Sequence, residues 1–191
     1  MIFSKLYSRV IAWSGHRHAQ YYLAGLSFAE SSFFPIPPDV LLAPMVVANR
    51  DKAMRLALLT TVASVLGGIL GYMIGHFGFY LIEPYIAQFG YQPAFDLAVE
   101  WFQKWGFWAV FVAGFSPIPY KVFTIAAGVF SLALIPFVIA SAIGRGARFF
   151  LVAQLMATFG AQFETVFKKY IEWIGWLVVL FAFAAYLMVE F

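Results

Sequence analysis

Cysteine is absent from the 191 residues, and charge is scarce: Asp, Glu, Lys and Arg make up only 11%. The first absence excludes a disulfide framework and thiolate chemistry. The second excludes an ordinary soluble domain, in which about 25% of residues are charged. A net charge of +3 with no basic stripe interleaved with aromatics excludes nucleic acid as a partner. No catalytic triad, phosphate-binding loop or dinucleotide fingerprint occurs, so no enzyme is expected and no cofactor. His16 and His18 flank Arg17, too little for a metal site, so none is expected. No cleavable signal is expected in the first eighteen residues.

Apolar residues fill the space left. They make up 63% of the chain, the mean hydropathy is +0.85, and Phe alone occurs 23 times. This composition predicts an all-α integral membrane protein forming a single membrane domain. Residues 1–18 read as an amphipathic helix lying in the interface. Ile2, Phe3, Leu6, Tyr7, Val10 and Trp13 take one face, and Ser4, Lys5, Ser8 and Arg9 the other. Residues 20–82 hold an apolar segment with a proline cluster, a charged break at 49–55, and a glycine-rich span. Residues 93–160 begin with a second amphipathic helix, in which Phe95, Ala98, Val99, Phe102 and Trp105 share a face. Residues 171–190 hold a plain transmembrane span with Trp at one interface.

The prolines set the organisation. "FFPIPPDVL" at 33–41 resembles "FSPIPYKVF" at 115–123, with Pro35 and Pro37 matching Pro117 and Pro119, and Pro38 following in the first copy. Each cluster follows a helix and precedes a glycine-bearing span, so the chain reads as two copies of one unit. Proline removes a backbone donor and breaks a helix. If each segment dips into the membrane and returns, eight of the twelve Lys and Arg share one side, and only Lys104 lies on the other. That charge bias makes the basic side, with the N-terminus, cytoplasmic. It also inverts the two units across the membrane, the pattern of transporters that bind at the midplane.

Five ionisable residues lie in the apolar segments: Glu30, Asp39, Lys121, Arg145 and Arg148. Intramembrane charge is costly and marks function. Two acids against three bases leave one spare positive charge, enough for a phosphate. Arg145 and Arg148, spaced i,i+3, share a helix face and offer planar donor forks. Glu30 and Asp39 are candidates to carry a proton. Plainer roles stand beside these. Asp39 would N-cap a helix starting at Val40. Glu30 would be the structural partner of an arginine, and Arg145, Arg148 and Lys121 would snorkel. Gly67, Gly68, Gly71 and Gly75 read as helix-packing contacts. Ser31, Ser32 and Ser116 read as packing or hydrogen-bonding residues.

"FAESSFFPIPPDVLLAPM", "GFSPIPYKVFTIAAGVF" and "GRGARFF" together resemble the DedA family, also called the SNARE-associated or VTT domain, and within it the YqaA-like branch. The resemblance covers about residues 20–160. It implies a bacterial inner-membrane protein with two facing re-entrant hairpins. It also implies movement of polyprenyl phosphate carriers or phospholipids between leaflets, dependent on the proton motive force. By matching position, Glu30 and Asp39 look like the family's acidic pair, and Lys121 sits near where typical members carry an arginine. A second family arginine is absent, with Phe115 and Ser116 in its place. The expected function is therefore a lipid flippase or scramblase, with membrane lipids and protons as partners. An ion-coupled carrier of a soluble solute and a non-transporting assembly protein are the alternatives.

Overall fold

The computed structural model describes residues 16, 18–88, 92–116 and 119–160, and all regular structure among them is helical. The expected interfacial helix at 1–18 (apart from His16 and His18), the C-terminal span at 171–190, and Pro117 lie outside the described residues.

Helix α1 runs over Ala19–Ser32 and α2 over Asp39–Ala48, separated by the first proline cluster. A short 3₁₀ turn, Arg50–Lys52, leads into α3, Ala53–Gln88. Helix α4 covers Gln92–Phe115 and α5 Tyr120–Val129, separated by the second cluster. Helix α6 covers Leu134–Gly160. The element order thus repeats: helix, break, ten-residue helix, long helix. Two stretches, Arg50–Leu81 and Leu134–Gly160, are long and apolar enough to cross a membrane.

The first break follows from its sequence. Phe33 and Phe34 both donate to the Ala29 carbonyl, closing α1. Pro35 then offers no donor and disfavours helical backbone in the residue before it. Pro38, fully buried, sits at the N-cap of α2 with φ −67°, a value its ring pre-sets. The new helix starts at Asp39, not Val40, and Asp39 makes no capping hydrogen bond. Its carboxylate is instead drawn to an arginine of α6. In the second unit Pro119 holds the matching position before α5. Helix α5 ends in a Schellman turn: Leu132 N–H donates to Ala127 and Ser131 N–H to Gly128, with Ser131 left-handed at φ 51°.

Two expectations for the middle of the chain need correcting. The amphipathic helix and the apolar arm after it are one continuous helix, α4. Its inward face carries Phe102, packed on Phe130, but Trp105 points outward. Gly106 takes the inward position beside Leu132, where the close approach leaves no room for an indole. Helix α3 also continues past residue 82, through Pro84 to Gln88.

Helices α3 and α6 run antiparallel through the centre. Thr61 lies beside Gly146, Ser64 bonds Arg145, and Tyr72 packs its ring tilted against Phe137 and donates to the Leu132 carbonyl. Glycines permit the close packing. Gly67 abuts the Phe28 carbonyl of α1, and Gly75 abuts the Ile125 carbonyl of α5. One apolar cluster, including Leu23, Leu42, Val46, Leu56 and Phe149, joins α1, α2, α3 and α6. A second, including Phe102, Val110, Tyr120 and Phe137, joins α4, α5 and α6. The remaining faces stay greasy: Leu58, Val62 and Leu66 on α3, and Ile135, Ile139 and Ile143 on α6, are exposed at one-turn spacing. Such continuous apolar stripes are foreign to a water-facing surface.

Candidate functional site

The polar residues of this apolar bundle are concentrated in one layer. Ser27 and Ser31 of α1 lie one turn apart, as do Thr60 and Ser64 of α3, and all four are fully buried. Ser27 donates to the Thr60 carbonyl, and the Ser31 and Ser64 hydroxyls are 2.7 Å apart. Ser32 donates to the Gly67 carbonyl. Thr124 of α5 donates to the Ser31 carbonyl, and Tyr120 donates to Ser141 at 2.5 Å. Each hydroxyl finds a partner because an unmatched one costs about 1–3 kcal/mol when buried.

Arg145 is the hub of this layer. Its Nη2 donates to Glu30 Oε2 at 2.5 Å, its Nε to Ser64 at 2.5 Å, and its Nη2 also reaches Ser31 at 3.4 Å. The guanidinium carbon lies 4.9 Å from the Tyr120 ring centre and 4.6 Å from that of Phe149. Arg145 is 2% exposed and Glu30 13%. A charge so sealed is held by its counterion, by donors and by ring faces together.

One helical turn on, Arg148 makes a different pair. Its Nη2 donates to Asp39 Oδ2 at 2.6 Å, and its Nη1 to the Ser116 carbonyl at 2.6 Å. Asp39 opens α2 after the first break, and Ser116 follows the end of α4 at the second. One guanidinium therefore clasps both breaks, and it satisfies a carbonyl that the second break frees. This pair is open to its surroundings, with Arg148 20% and Asp39 24% exposed. Asp39 Oδ1 and the Ser116 hydroxyl are buried without a partner among the described residues.

Four of the five charges of the apolar segments named from the sequence thus meet as two ion pairs, linking α1 and α2 to α6. Lys121, in the first turn of α5, joins neither pair. It carries the spare positive charge. Of the break prolines, Pro38 and Pro119 start the second helix of each unit, while Pro35 and Pro37 lie in the exposed loop between α1 and α2. Sequence reasoning missed Ser27, Thr60, Ser64, Tyr120, Thr124, Ser141 and Phe149. The i,i+4 hydroxyls of two apolar helices were the signal that could have found Ser27, Thr60 and Ser64.

Two helix–break–helix units, each followed by a long apolar helix and joined through paired charges, define a class of membrane-associated helical proteins. The chain belongs to the VTT domain family, whose model matches residues 36–158, which is consistent with DedA membership. It is 48% identical to an uncharacterized protein of Haemophilus influenzae, covering 99% of this chain and 98% of that one. It is 47% identical to an uncharacterized protein of Histophilus somni, over 99% of each chain. No solved structure matches it.

Proposed function

We propose that the protein carries a lipid with an anionic headgroup, such as a polyprenyl phosphate or a phospholipid, between the leaflets of the bacterial inner membrane. It acts as a transporter, not an enzyme. The two breaks form re-entrant hairpins that enter from opposite faces, with the N-terminus cytoplasmic. The exposed apolar stripes of α3 and α6 face lipid in this reading.

The observation that carries it is the contrast between the two arginine–carboxylate pairs. The Glu30–Arg145 pair is sealed in the bundle, with Arg145 also held by Ser64. It fixes the bundle. The Asp39–Arg148 pair is half-open, and Asp39 keeps one oxygen unpartnered. A proton placed on Asp39 weakens its hold on Arg148. The freed fork then donates to two oxygens of a phosphate, the geometry a guanidinium suits best. Lys121 adds the second charge, without the fork. When Asp39 loses its proton, it competes for Arg148 again and expels the headgroup. The same competition releases or re-forms the clasp between the breaks, which couples the charge change to opening.

The test is reconstitution in liposomes carrying labelled polyprenyl phosphate or labelled phospholipid, with and without a proton gradient. Wild type should expose label at the far leaflet, Lys121→Ala with Arg148→Ala should not, and Asp39→Asn, which cannot regain the charge that expels the headgroup, should bind lipid but fail to release it with or without the gradient. Wild-type transport by the folded double variant refutes the site. No movement of any lipid by folded wild type refutes the reading and turns it to a soluble solute or an assembly role.

A further inference from the structure

Helix α4 carries a feature that the charged layer does not use. Trp101, Trp105 and Trp108 follow each other at one-turn spacing, and all three are about half exposed. With Val112 and Ala113 behind them and Phe123 of α5 across, they line an apolar groove of about 410 Å³. That volume lies within the range of about 300–1,000 Å³ typical of small-molecule sites. Tryptophan favours the boundary between headgroups and hydrocarbon, which sets the groove at the membrane interface. The basic segments lie toward the other face, so this is the outer-leaflet side in the topology proposed above.

Charge decides the occupant. Lys104 is the sole Lys or Arg between Arg55 and Lys121. Its ammonium stands over Trp105, one wall of the groove, 5.9 Å from the ring centre. Asp96 and Glu100 precede the groove on the same helix, and Lys104 is the one charged residue within the 101–113 stretch that lines it. An ammonium above an aromatic, apolar groove is complementary to an anionic amphiphile. The floor also adjoins the charged layer: Gly114, next to Ala113, packs on the backbone of Gly144 and Arg145. Phe123 stands two residues beyond Lys121 on α5.

We propose that this groove is a binding site for an anionic membrane lipid, with the apolar tail between Trp101, Trp105, Trp108 and Phe123 and the headgroup at Lys104. It rests on the lipid-carrier reading and names the port through which the lipid enters or leaves the Arg148 site.

The experiment is tryptophan quenching in vesicles by a brominated phosphatidylglycerol against a brominated phosphatidylcholine. Trp13, Trp173 and Trp176 are replaced by Phe so that the groove alone reports. The expected result is saturable quenching, with the anionic lipid favoured about two- to fivefold, the range of one exposed charge. Lys104→Gln should remove the preference, and Ala109→Phe, which fills the groove without adding a fluorophore that reports, should remove the saturable part. Quenching that is linear in mole fraction and equal for both lipids, with no effect of Lys104, means ordinary boundary lipid and overturns the site. Absence of quenching means that protein covers the groove, and overturns it too. Binding is read without transport, so saturable anionic binding beside inactive wild-type protein would sink the carrier reading and leave this site standing.

Discussion

Removing charge from the two ion pairs should have unequal consequences for stability. Glu30 and Arg145 are 13% and 2% exposed, and neither can turn to water when its partner goes. Breaking a buried pair by removing one member costs about 3–5 kcal/mol. Arg145 keeps its bond to Ser64 and its two ring contacts in Glu30→Gln, which places that variant near the lower end. Arg145→Met leaves a buried carboxylate with only Ser31 to bond it, at 3.1 Å, and sits near the upper end. The double variant removes both charges and should recover much of the loss. Asp39 and Arg148 are exposed enough for solvent or lipid headgroups to replace the missing partner, so Asp39→Asn should cost about 1 kcal/mol. The assay is a pair of double-mutant cycles on reversible unfolding in mixed micelles at neutral pH. Coupling should come out at about 2–3 kcal/mol for the Glu30–Arg145 cycle and below about 1 kcal/mol for Asp39–Arg148. Equal couplings, or a larger one for the outer pair, would refute the division into a sealed fastening and an openable clasp.

Glycine gives a matched pair of tests on α3. A Cβ on Gly75 would run into the Ile125 backbone carbonyl, whereas one on Gly78 meets nothing within 4 Å. Gly75→Ala should lose about 1–3 kcal/mol through forced separation of α3 and α5, and Gly78→Ala should gain up to about 1 kcal/mol from helix propensity; thermal melts of the two variants compare them directly. Ser131 holds a left-handed position in the Schellman turn that closes α5. Ser131→Gly should raise the melting temperature by relieving about 1 kcal/mol of backbone strain, and an unchanged or lower value would show that the turn carries none.

How much of this was legible beforehand follows from the range of each interaction. The breaks were legible because proline acts on its own backbone and on the residue before it: Pro35, Pro38 and Pro119 mark where helices stop and start with no help from distant residues. The glycines of α3 were legible as contacts, because a stripe without side chains in an apolar helix implies something close, although not that Gly67 meets α1 and Gly75 meets α5. The outward turn of Trp105 was not legible. Periodicity places it at the edge of the inner face, and Gly106 and Leu132 settle the matter in three dimensions. The five ionisable residues of the apolar segments could be read as a set, since each is costly alone. Their pairing could not, since Glu30 and Arg145 are 115 residues apart and Asp39 and Arg148 109 apart. Either arginine satisfies either acid on paper. The choice is made by depth: Ser31 and Ser64 meet inside the bundle and draw in Arg145, while Arg148, one turn away, is left at the breaks with Asp39 and the Ser116 carbonyl. Two arginines three residues apart thus acquire different surroundings, one sealed and one partly exposed, from hydroxyls contributed by two other helices.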